Sequence, residues 1–139
     1  MGKKVKVVFD TNVWISIFLK KAIGKEFTEI FEKVEVYVTR GLLEEISRVL
    51  VYPKIEELLE LSGVSKSGIL QRIVENSALV NPRFKFRVIE EDPEDDKVLD
   101  CALQAHAEFI VSGDRHLLKL RKFRDVRILS PRGFLDALG

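Results

Sequence analysis

Four carboxylates define the chemistry open to this chain. Asp10 closes the apolar run Val5-Lys6-Val7-Val8-Phe9, and Asp114 follows Ser112-Gly113 at the end of Phe109-Ile110-Val111. Glu45 falls in the first turns of a helical pattern after a second apolar run, and Asp96 in the first turn or so of another helical pattern. Carboxylates gathered at one place repel and resist ionising together, and a divalent cation is the usual remedy. An all-oxygen donor set without cysteine or a histidine pair selects hard ions, Mg²⁺ or Mn²⁺. That combination suits phosphodiester hydrolysis, because a metal acidifies a bound water and stabilises charge on the phosphorane and the leaving oxygen. Water is then the attacking group, since no Ser/His or Cys/His pair is placed for nucleophilic catalysis. In this scheme Asp10 and Asp114 are direct or water-mediated ligands. Asp96 completes the shell or bridges a second ion, and Glu45 is a ligand or orients the water.

Only a particular fold brings such distant residues together. The β-branched run before Asp10 predicts a buried strand, followed by a helix over Val13–Leu19 that is apolar nearly all round. Gly24 is expected to break the pattern, with a helix from Glu26 to Val34 and a strand over Glu35–Thr39. A helix over Gly41–Val51 ends at Pro53, and two amphipathic helices follow at Ile55–Leu61 and Ser67–Ser77. Ala78-Leu79-Val80 and Phe86–Ile89 flank Asn81-Pro82, and one or both form short strands. A helix over Glu94–Ala107 leads to a strand at Glu108–Ser112. A short helix at His116–Arg121, a strand at Val126–Leu129 and a helix at Pro131–Leu138 close the chain. Strands alternating with helices predict an α/β fold: a three-layer α/β/α sandwich around a parallel sheet of four to five strands, residues 1–139 forming one domain. In such sheets the strand carboxyl ends and the following helix amino ends share one edge, where ligands and phosphates bind. All four acids fall on that edge.

Composition narrows the field further. The 139 residues are 46% hydrophobic and 32% charged, with a net charge of +1, so no global field announces a polyanionic partner. The charge is segregated, however. Residues 90–100 hold seven acids against Lys97, and residues 115–132 hold seven bases against Asp125, which can set a positive rim beside a negative site. Within the basic stretch Arg115, Lys119, Arg121 and Lys122 are candidates for phosphate contacts, although a solvated face explains each one singly. The lone Cys101 excludes an intrachain disulfide and a cysteine-built metal site, and its apolar neighbours predict a buried thiol. With neither a leader-like segment nor a membrane-spanning run, the chain reads as cytoplasmic.

Each acid also has a plainer explanation. Asp92-Pro93-Glu94-Asp95 fits a helix start, with Asp92 as cap and Asp95 as the acid of a capping box, which leaves Asp96 for the site. Asp100, four residues on, is a supporting acid or solvated. Asp10 and Asp114 could each cap a helix, and Asn12 could be a turn residue. His116 reads as a helix-start residue before it reads as a base. Trp14, Phe18, Phe27 and Phe31 are spaced as core, with a dimer seam as the lesser alternative.

Taken in order, the motifs Phe9-Asp10-Thr11-Asn12, Thr39 with Glu45-Ile46, Asp95-Asp96 with Ala102, and Ile110-Val111-Ser112-Gly113-Asp114 resemble the PIN-domain nucleases. The branch they most resemble is the toxin components of toxin–antitoxin systems, related to the VapC toxins. The resemblance implies a Mg²⁺- or Mn²⁺-dependent endoribonuclease acting on single-stranded or tRNA-like RNA. It carries the acidic site onto Asp10, Glu45, Asp96 and Asp114, with Asn12 and Ser112 as supporting polar residues. Glu44 competes with Glu45, and Asp95 with Asp96; the family acid precedes an aliphatic residue, which favours Glu45 before Ile46. The apolar helices between Ile55 and Leu79 imply a surface for an antitoxin or for a homodimer.

Two other enzyme classes place acids at the same edge. A haloacid-dehalogenase-like phosphatase needs an acid two residues after the first, where Asn12 stands, and a later one where Leu118 stands. A response-regulator receiver needs its acids spaced differently. A PIN fold that binds RNA or protein without cutting is the remaining alternative.

Overall fold

The computed structural model describes residues 4–81 and 93–139, apart from the side chains of residues 21, 22 and 93–96. The strand expected over Phe86–Ile89 and the capping roles of Asp92 and Asp95 fall outside these residues. Along the chain run β1 (Val5–Phe9), α1 (Thr11–Leu19), α2 (Lys21–Ile30), a 3-10 turn (Phe31–Lys33), β2 (Val34–Val38), α3 (Arg40–Val49), α4 (Pro53–Ser62), α5 (Lys66–Glu75) and β3 (Ala78–Leu79). Then come α6 (Pro93–Ala105), β4 (Phe109–Val111), α7 (Arg115–Leu118), β5 (Lys122–Phe123), β6 (Val126–Leu129) and α8 (Pro131–Leu138).

The sheet order is β3-β2-β1-β4-β6-β5. Five strands are parallel, and β5 adds an antiparallel edge against β6. Strand alternation sends β1 side chains to both faces. Val7 and Phe9 join one core with Trp14, Phe27, Ile46, Ile69 and Phe134, while Val8 joins a second with Leu99, Ala102, Ile110 and Leu117. Helices therefore cover both faces, as the alternating pattern requires. Phe9 sits edge-on to Trp14, Phe27 and Phe134, with ring centroids 5.1 to 6.2 Å apart. The core placement expected for Trp14 and Phe27 is realised in full, and Phe18 and Phe31 are half-buried against it.

Several boundaries differ from expectation for local reasons. Gly24 does not break the chain; it lies inside α2, its N–H bonded to the Lys20 carbonyl at 2.8 Å. Its missing side chain serves packing, because a Cβ there would overlap the carbonyl oxygen of Ile17 in α1. Gly24→Ala is therefore expected to force the two helices apart and lower stability by about 1–3 kcal/mol despite alanine's better helix propensity, as read by urea denaturation. The second helix ends at Ile30, four residues early, so Val34 starts β2 and Thr39 caps α3. The helix α6 stops at Ala105 because His106 takes a left-handed conformation (φ 54°), and Ala107 N–H then bonds back to the Ala102 carbonyl. Likewise α7 ends at Leu118, short of the expected Arg121, which itself has φ 59° and leads into β5. No helix among the described residues is long and apolar enough to cross a membrane.

Candidate active site

The order of the sheet puts its switch point between β1 and β4. The chain leaves β1 toward β2 on one side and β4 toward β6 on the other, opening a crevice at the carboxyl ends of these two neighbours. Phe9 is in register with Val111, so the residues just past each strand, Asp10 and Ser112, meet at that crevice. The ladder runs one step further through the Asp10 N–H, which donates to the Val111 carbonyl at 2.9 Å. Ser112 N–H in turn donates to the Leu129 carbonyl of β6 at 3.0 Å.

Asp10 is 6% exposed, and its two carboxylate oxygens have different tasks. Oδ1 accepts from the Thr11 N–H at 2.7 Å and caps α1. Oδ2 accepts from the Ser112 hydroxyl at 2.8 Å. That hydroxyl, fully buried, also accepts from the Asp114 N–H at 2.9 Å. Asp114 caps α7 through Oδ1, which accepts from the His116 N–H at 2.7 Å. A single serine hydroxyl thus ties one acid's side chain to the other acid's backbone. The nine-residue α1 points its amino end at the Asp10 charge, which suits an anion there.

Glu45 approaches from the other side of the crevice. The Thr39 hydroxyl accepts from the Leu42 N–H at 3.1 Å, starting α3 at the end of β2. Half-buried Glu45 lines a cleft of about 610 Å³ together with Asp10, Asn12 and Asp114. Glu44 lies on the exposed face and pairs with Arg40 at 3.4 Å. The backbone of Asp95 and Asp96 is in the first turn of α6, while their side chains are outside the described residues. Among the described residues no three of His, Cys, Asp and Glu come close enough to hold an ion unaided.

Two features of the cleft were not foreseen. The far wall of the cleft is the α3–α4 corner, with Val49, Tyr52, Pro53, Lys54 and Ile55. Thr11 also lines the cleft, and its buried hydroxyl has no hydrogen-bond partner among the described residues. Asp100 is buried in α6 rather than solvated. Burial pushes the Cys101 thiol up to about 12, with the neighbouring Asp100 carboxylate adding to the shift, so it is an inert core group. The basic residues Arg115, Lys119, Arg121 and Lys122 are exposed along α7 and β5, and none of the four lines the cleft. Further along, Arg132 is engaged by Glu26 at 2.8 and 3.0 Å, which holds the Glu26 carboxyl below the usual range.

With this geometry in view, the comparisons are coherent. A PIN domain family model matches residues 6–116, and the chain belongs to the PIN-domain family, whose members are generally nucleases. Uncharacterized protein MJ1680 of Methanocaldococcus jannaschii is 34% identical over 122 residues, covering 85% of this chain and 76% of that protein. The fold is similar to PAE2754 of Pyrobaculum aerophilum, with a TM-score of 0.61 and 16% identity over 96% of this chain and 89% of that one. It is equally similar to VapBC2 of Rickettsia felis, solved bound to a DNA fragment from their promoter. That comparison has a TM-score of 0.61 and 10% identity over 91% of this chain and 98% of that one.

Proposed function

We propose that residues 1–139 act as one PIN-like domain: a divalent-metal-dependent endoribonuclease that serves as the toxin of a toxin–antitoxin pair. The observation that carries the reading is the cleft at the β1–β4 switch point, where Asp10, Glu45 and Asp114 gather from three separate elements.

The residues there fit a hard cation. The donor types are carboxylate, amide and hydroxyl oxygen, and the orphaned Thr11 hydroxyl adds one more beside Asp10. Asp10 accepts from the Thr11 N–H through one oxygen and from the Ser112 hydroxyl through the other, which holds the carboxylate at the cleft. Asp96 is the fourth acid that the family resemblance implies; with no closed set of three acids among the described residues, Asp10 and Asp114 would hold Mg²⁺ or Mn²⁺ with Glu45 on the same cleft, water and substrate oxygens supplying the rest. That is how Mg²⁺ is ordinarily bound. Such an ion, when bound, supplies acidified water and charge neutralisation at phosphorus. The chain's own part is orientation. Ser112 fixes the rotamer of Asp10 and the backbone of Asp114, and α3 delivers Glu45 across the cleft, where it can hold a water by its proton.

Exposed apolar residues on the α4–α5 side, including Leu58, Leu61 and Val74, support a surface for an antitoxin or a second copy in a homodimer. Arg115 and Lys119, on the segment that starts at Asp114, suit phosphates at the rim.

Single-stranded RNA should be cleaved in Mg²⁺ or Mn²⁺ and spared in EDTA. Millimolar metal should also raise the melting temperature, because binding confined to the folded state stabilises it, by about 2.7 kcal/mol at a hundred times Kd. Cleavage that ignores EDTA, together with an unmoved melting transition, would remove the metal-dependent reading.

A further inference from the structure

The carboxylates that make the cleft reactive also make it a poor place to hold RNA. Asp10, Glu45 and Asp114 repel a phosphate chain, and among the described residues lining the cleft Lys54 is the single cation. The whole chain carries only +1, so long-range attraction does not compensate. Beyond what a bound cation and the rim bases contribute, a contact indifferent to charge would add affinity for a strand in this cleft.

The α3–α4 corner provides one. Tyr52 lines the same cleft as the acids and is 55% exposed, and Val51 beside it is 47% exposed. The corner's backbone is hydrogen-bonded on both sides of Tyr52. The Tyr52 N–H donates to the Val49 carbonyl at 3.1 Å, the Tyr52 carbonyl accepts from the Glu56 N–H at 2.9 Å, and Pro53 fixes the first residue of α4. Val49 and Ile55 line the same cleft with apolar side chains. An exposed aromatic side chain lining a cleft of about 610 Å³, with Lys54 two residues on, is suited to seat an unpaired base and its phosphate.

We infer that Tyr52 is a base-stacking platform for single-stranded RNA, with Lys54 taking an adjacent phosphate. This rests on the ribonuclease reading, which it deepens by naming the residues that select an unpaired strand. A base stacked on Tyr52 would occupy the cleft that Asp10 and Asp114 also line, so the platform is a specificity-determining element and not part of the chemistry. Duplex RNA keeps its bases stacked on one another and gains nothing from it.

The test uses a short RNA carrying 2-aminopurine, whose fluorescence falls on stacking, titrated with the full chain in Ca²⁺ in place of Mg²⁺, with the RNA checked to be intact afterwards. Binding should quench the wild type. Tyr52→Ala and Tyr52→Leu should weaken binding about 5- to 150-fold and abolish the quench, the fold-change that stacking of one base represents. Tyr52→Phe should bind as wild type does. Lys54→Gln should lower the salt slope by about one without removing the quench. In the cleavage assay Tyr52→Ala should raise KM and leave kcat within a few-fold. If Tyr52→Ala binds and cleaves as wild type does, the platform is overturned while the nuclease reading stands. If quenching depends on Tyr52 but no metal supports cleavage, the platform stands and the nuclease reading falls. If Tyr52→Ala changes only the sedimentation of the protein, the residue belongs to a protein interface and the inference is wrong.

Discussion

Asp10→Asn should leave a folded protein whose RNA cleavage is reduced at least about a hundredfold. Asparagine is nearly the same size as aspartate and caps a helix equally well, so Oδ1 can still accept from Thr11 N–H. The Ser112 hydroxyl can turn to accept from the new amide, at the cost of its own proton's partner in a fully buried site. That costs about 1 kcal/mol and a small drop in melting temperature. What cannot be replaced is the negative charge. Removing a supporting partner of a metal ligand commonly costs about 10- to 100-fold, and a ligand should cost more. The same variant should lose most of the rise in melting temperature that Mn²⁺ produces. Initial rates within twofold of wild type, in preparations free of contaminating nuclease, would mean that Asp10 is a cap and nothing more.

That last possibility shows how the sequence is informative and where it stops. From the residues alone, Asp10 as helix cap and Asp10 as site acid look like competing explanations. In three dimensions one oxygen of the carboxylate caps α1 through Thr11 and the other is held by Ser112, so the cap leaves the site role open to test. The strands β1 and β4 were legible because buried parallel strands are short continuous apolar runs, and each ends in a polar residue. Their adjacency was not legible in itself. A parallel sheet puts both carboxyl ends on one edge, but only the observed strand order makes the two strands neighbours and brings Ser112 onto Asp10 from 102 residues away. The strand β5 escaped notice because it has two residues and turns at Arg124, which adopts φ 54° without the glycine or asparagine that usually marks such a bend. Gly24 misled for the opposite reason. Glycine signals a break on propensity grounds, but here a close approach of two helices requires it. The Tyr52–Ile55 wall of the cleft depends on the angle between α3 and α4, which no local pattern encodes.

Ser112→Ala carries the second large effect. Alanine fits the space but removes an acceptor from the Asp114 N–H and a donor to Asp10 Oδ2 in one step. Ser112 is fully buried and Asp10 is nearly so, so water does not readily substitute, and stability should fall by about 1–3 kcal/mol. The functional cost should be larger than the stability cost implies. Asp10 loses the bond that fixes its rotamer and Asp114 loses its backbone tether, so apparent metal affinity should drop about 10- to 100-fold, read from the metal dependence of both melting temperature and cleavage rate. A control separates this from general weakening. Ser130 caps α8 by accepting from the Gly133 N–H at 3.0 Å and does not line the cleft, and Ser130→Ala should cost about 1 kcal/mol with metal affinity unchanged. In a double-mutant cycle Ser112→Ala and Asp10→Asn should be non-additive, because the two side chains are direct hydrogen-bond partners. Additive effects, or equal losses of metal affinity at Ser112 and Ser130, would show that the hydroxyl supports the fold without organising the acids.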